Sequence, residues 1–142
     1  MTGINYGRVL LGGLAAGVVA NAGDFVVNNV LMAEDMAQMA QRLFLNREIL
    51  ASSSVAVTWI VVDFFYATLI VWTYAAIRPR FGPGPATAVK AGVVLWAAVG
   101  AVLFGFQAMG IFTIDAFVKG SVLSLATTTL AALTGAWLYA ER

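Results

Sequence analysis

The chain has 142 residues, 61% of them hydrophobic and only 11% charged, where a soluble domain carries about 25% charged residues. It contains no histidine and no cysteine. It therefore lacks the common metal and haem ligands, the usual general base near neutral pH and any thiol or disulfide chemistry. A net charge of +1 supplies no basic surface for nucleic acid, and no second composition regime marks a soluble appendage, so residues 1–142 read as a single transmembrane domain.

A bilayer-spanning helix needs about 20 mostly apolar residues. The first such stretch runs from about 9 to 32. Residues 1–22 also resemble a signal peptide, with Arg8 and an Ala20-Asn21-Ala22 cleavage-type site. The apolar run continues past Ala22 to Met32, however, so the segment is expected to be a retained first helix. Gly13, Gly17, Asn21, Asp24 and Asn28 follow spacings of four, four, three and four and share one helical face. Gly13 and Gly17 form a small-residue motif that admits a neighbouring helix. Asp24 interrupts the apolar run, and an acid at that depth is costly unless protonated, paired or wetted.

The segment from about 33 to 46 is expected to be an amphipathic outer helix lying on the membrane surface. Met32, Met36, Met39 and Leu43 recur at helical spacing. Such a Met-rich stripe suits a partner surface or a lid; the alternative is an ordinary connector. The second span runs from about 55 to 77 and carries another intramembrane acid, Asp63, with Tyr66 on its face. Residues 78–85 (RPRFGPGP) hold three prolines and two glycines and read as a tight, non-helical inner loop. Their basic residues either set topology or meet anionic lipid.

The third span runs from about 91 to 112, with Gly92, Trp96, Gly100, Leu103 and Gln107 on one face. The fourth runs from about 117 to 139, with Ser121, Ser124, Thr128, Ala131 and Gly135 on one face. Thr113 or Asp115 is placed to cap its start. Lys119 is the basic residue placed to pair with an acid. With both termini inside, the inner side holds Arg8, Arg78, Arg80, Lys90 and Arg142, and the outer side Arg42, Arg47 and Lys119. That bias points to a multi-pass protein of a bacterial-type inner membrane with cytoplasmic termini.

The expected architecture is all-α, a polytopic four-helix transmembrane bundle. The segments Trp72-Thr-Tyr74-Ala75 and Trp137-Leu-Tyr139-Ala140 raise a duplication, two helical hairpins in parallel repeat. Gly17 would lie over Gly100, Asp24 over Gln107 and Asp63 over Thr128. Convergence at membrane interfaces explains the same match.

The candidate ion- or proton-coupling residues are Asp24, Asp63, Asn21, Asn28, Tyr66 and Gln107, in one polar seam. The candidate packing residues are Gly13, Gly17 and Gly100, and the candidate partner contacts are Met32, Met36, Met39 and Leu43. Two poorly solvated carboxyls side by side do not both ionise easily, and a pair sharing one proton can bind and release a proton or cation. Each acid can equally be a hydrogen-bonded clamp between helices, worth about 1 kcal/mol.

Four spans in so short a chain resemble the small multidrug resistance transporters, whose first helix carries an essential membrane-embedded glutamate. Here the acid is Asp24, in Asn21-Ala22-Gly23-Asp24, which is not that family's motif. The inserted outer segment also departs from it, so no residue role carries over. The chain equally resembles four-helix bacterial membrane proteins that imply no activity.

No nucleophile–base pair, phosphate loop or metal-ligand cluster is present, so no enzyme, metal or cofactor is expected. Two readings follow. The favoured one is a non-catalytic accessory or structural subunit, packing in a larger bioenergetic membrane complex or with copies of itself. The other is a small proton- or cation-coupled transporter using Asp24 and Asp63.

Overall fold

The computed structural model describes residues 3–139, and all their regular structure is helical. Helix α1 (Tyr6–Val26) starts where the Asn5 side chain accepts from Arg8 N, and it passes into a π-helical turn (Val27–Leu31). The outer segment forms α2 (Ala33–Arg42) and a short α3 (Arg47–Leu50), capped by Asn46. The long helices α4 (Ser53–Phe81), α5 (Pro85–Ala108) and α6 (Ile114–Leu138) follow. The Thr113 hydroxyl, not Asp115, caps α6 by accepting from Ala116 N at 3.2 Å. Four helical stretches, Tyr6–Leu31, Ser53–Phe81, Pro85–Ala108 and Ile114–Leu138, are long and apolar enough to cross a membrane.

The loop expected at 78–85 is mostly helix. Helix α4 continues through Pro79 to Phe81, and only residues 82–84 turn the chain. Pro79 stands in the last turn, where its missing N–H removes one bond to an upstream carbonyl and the helix is about to end. Gly82 N then donates to Arg78 O at 2.8 Å, and Gly82 and Gly84 take φ of +81° and +126°, a region that favours glycine. Pro85 occupies the first turn of α5, where its lost donor costs nothing. The third span therefore starts six residues before the expected 91.

Helix α1 packs against α4 and α6, and α5 packs against α6 and α4. Lipid removes the hydrophobic drive between spanning helices, so close backbone approach must supply the packing. Two faces of α1 do this. Gly13 and Gly17 face α4: a Cβ on Gly13 would stand 2.9 Å from Thr68 Cα, and one on Gly17 would collide with the Phe64 ring. Gly12 and Gly23 face α6: a Cβ on Gly12 would stand 2.6 Å from Gly135 O, and one on Gly23 would strike the Thr127 side chain. Gly100 departs from its expected role, because nothing lies within 4 Å of its Cβ position. Helix α5 approaches α6 two turns earlier, at Gly92, which faces Ala132 and Thr128.

The end of the molecule that carries residues 3–5 and 139 is closed by aromatics. The Tyr74 and Tyr139 rings meet edge to face at 5.9 Å. Asn5 N donates to Tyr139 Oη and Gly84 N to Tyr74 Oη, each at 3.2 Å. Arg78 stacks 5.7 Å from the Tyr139 ring centroid. At the opposite end residues 56–62 of α4 and 101–106 of α5 are all exposed, though Asn21 of α1 reaches Ile60 O and the Phe104 ring meets that of Phe117 on α6 at 5.6 Å.

The Met-rich stripe turns partly inward. Met32 is 4% exposed, in a cluster with Val27 and Ala116, and its sulfur sits 3.2 Å from the Cβ position of Gly120. Met36 and Met39 are half-buried, while Leu43 lies at the exposed edge. An amphipathic helix follows whichever apolar surface it reaches, and here the start of α6 supplies one. Lys119 Nζ reaches Asp35 Oδ2 at 2.8 Å, so it pairs with α2 and not with Asp24 or Asp63. Arg42 Nη2 donates to Ile111 O at 2.8 Å.

Candidate functional site

Asp24 stands 18 residues from the start of α1, and Asp63 stands 18 residues from the end of α4. At 1.5 Å per residue both lie about 27 Å from the aromatic end, in one layer of the molecule. Their carboxyl groups approach each other across the α1–α4 contact. Two ionised carboxylates at close range repel each other, and a proton or a cation between them removes that repulsion.

The layer is completed from α4 and α6. The Tyr66 hydroxyl lies near both Thr128 and Asp24. Thr128 is buried, and Thr127 beside it packs on Gly23, the residue preceding Asp24. A larger residue at position 23 would push α6 away from this layer. Asp24 and Asp63 are half-buried, as is Tyr66. Among the described residues no group of three or more His, Cys, Asp or Glu could hold a metal ion.

The other seam residues serve differently. Asn21 Nδ2 donates to Gly17 O at 2.9 Å and reaches Ile60 O at 3.4 Å, stitching α1 to α4 beside the acids. Asn28 is exposed and returns its amide to Asp24 O at 2.9 Å. It touches the acid's backbone and not its carboxyl, the same bond back to the carbonyl four residues earlier that Asn21 makes. Gln107 is half-buried on α5, and no hydrogen bond joins it to either acid among the described residues.

Gly23 and Thr127 are the participants that sequence reasoning passed over, whereas Thr128 was expected on the inward face of the fourth span. The glycine beside Asp24 was a legible signal. The Thr127-Thr128-Thr129 run was not, since hydroxyls in membrane helices commonly bond back to their own helix, as Thr127 does to Leu123 O at 3.3 Å.

Set against known protein families, characterised proteins and solved structures, the chain matches none. Its functional reading rests on its own residues.

Proposed function

We propose that the protein is a small proton- or cation-coupled membrane transporter in which Asp24 and Asp63 act as one coupling group. The observation that carries this reading is the carboxyl–carboxyl contact inside two spanning helices. Placing an acid near the centre of a spanning helix costs about 3 kcal/mol, and a helix clamp can be built from side chains that never ionise, such as Asn, Ser or Thr. Two acids sharing a proton have a further capacity: loss of that proton leaves an anionic site for a cation. The π turn that starts three residues after Asp24 supports the reading, since π turns recur at functional sites.

Purified protein in vesicles loaded with a pH-sensitive dye tests it. Asp24→Asn and Asp63→Asn are each expected to lower proton flux at least tenfold while helicity and monodispersity stay unchanged. Flux unaltered in both variants and in the double variant would sink the proposal.

A second reading, an accessory subunit in a larger bioenergetic complex or a homo-oligomer, is favoured by a different observation. Seven consecutive residues of α4 and six of α5 are exposed, which leaves broad apolar faces for a partner chain to cover. Recovery of a stoichiometric larger complex from native membranes would support it.

The duplication is also part of the proposal, in a shifted register. Tyr139 accepts from Asn5 N and Tyr74 from Gly84 N, and Asn5 and Gly84 are the caps of α1 and α5. Matching caps to caps puts Gly13 over Gly92 and Asp24 over Leu103, one turn from the match with Gln107. The second hairpin then holds Leu103 and Thr128 where the first holds Asp24 and Asp63. One acidic site serves the whole molecule. The bias of Lys and Arg toward the aromatic end supports cytoplasmic termini in a bacterial-type inner membrane.

A further inference from the structure

We infer that the turn from α4 to α5 is a binding site for an anionic phospholipid, with Arg80 and Lys90 holding the headgroup phosphate. Phe81, 52% exposed, carries both cations: Lys90 Nζ lies 4.6 Å and the Arg80 guanidinium 5.9 Å from its ring centroid. Both side chains are exposed. Among the described residues no carboxylate shares this end of the molecule. Asp24 and Asp63 lie deep in the spans, and Glu34, Asp35, Glu48 and Asp115 belong to the other end. Two like charges drawn to one ring repel each other, and an anion between them relieves that repulsion.

The backbone of the turn is already committed, because Gly82 N donates to Arg78 O and Gly84 N to Tyr74 Oη. The side chains must therefore do the binding. Below Lys90, at spacings of four, three and four, come Val94, Ala97 and Ala101, all exposed. They form a smooth apolar track running from the cations into the spans, suited to an acyl chain. A charged head above an apolar track matches a lipid and not a free anion. This inference is independent of the carboxyl pair.

Native mass spectrometry of the full chain in detergent, titrated with dioleoyl phosphatidylglycerol or dioleoyl phosphatidylcholine, tests it. One cation near an anionic lipid surface is worth about fivefold in affinity, so the pair should favour phosphatidylglycerol roughly 25-fold. The double variant R80Q/K90Q should lose that preference, R80K/K90R should keep it, and R42Q/R47Q at the opposite end should leave it unchanged. Equal binding of the two lipids by the unaltered protein would overturn the inference, as would a preference that survives R80Q/K90Q. Displacement of phosphatidylglycerol by excess inorganic phosphate would reassign the cations to a free anion and overturn the lipid site.

Discussion

Gly13 and Gly100 look alike in the sequence, each a small residue on a spanning helix, yet their surroundings are opposite. At Gly13 the obstacle to a side chain is the Thr68 backbone, 2.9 Å from the Cβ position; at Gly100 nothing lies within 4 Å. Gly13→Ala is expected to cost about 1–3 kcal/mol, as overpacking does. Gly100→Ala should be neutral or stabilising by up to about 1 kcal/mol, since alanine favours the helix. Thermal unfolding in detergent, followed by circular dichroism, separates the two. Equal loss in both variants would show that the α1–α4 contact is not the close one described. The same distinction explains what is legible at this scale. Counting residues from the helix ends is enough to put Asp24 and Asp63 in one layer, because helical rise is uniform. Which glycine meets a helix depends on how the helices cross, and the residue types do not encode that locally.

At the scale of elements, the spans are readable because apolar runs of this length have few other uses, while their ends are less so. Pro79 signals a helix stop in isolation, but a last turn loses little to proline, and α4 runs on to Phe81. The amphipathic pattern of α2 reveals an apolar face without revealing its target. Lipid, a partner and the start of α6 are equally good solvents for a methionine. The Asp35–Lys119 pair holds that choice in place, with side chains 26% and 48% exposed. Such a pair is worth no more than about 1 kcal/mol, so α2 is only loosely latched to α6. Met36→Cys, in a chain with no native cysteine, offers a reporter. Asp35→Lys should raise its labelling by a membrane-impermeant maleimide up to about fivefold, and adding Lys119→Asp should restore the slow rate. Identical rates in all three proteins would show that the pair does not hold α2 against α6.

For the molecule as a whole, four helices long and apolar enough to span leave residues 3 and 139 at one end, together with Arg8, Arg78, Arg80 and Lys90. A fluorescent reporter fused after Arg142 should mature in the cytoplasm, and alkaline phosphatase inserted at Asn46 should be active outside it. The reverse pattern would invert the orientation and place the lipid site on the other leaflet. The Tyr74–Tyr139 ring contact has a mechanical consequence. It pins the end of α4 to the end of α6, while α1 is held against α6 further along, at Gly12 and Gly23. A tilt of α4 away from α1 about these rings uses the span as a lever arm. Asp63 sits about 27 Å along that arm, so a tilt of only about 2° moves its carboxyl about 1 Å relative to Asp24. That spans most of the range over which a hydrogen bond survives. The grip of two rings at one extremity thereby sets how closely the acids on α1 and α4 can meet.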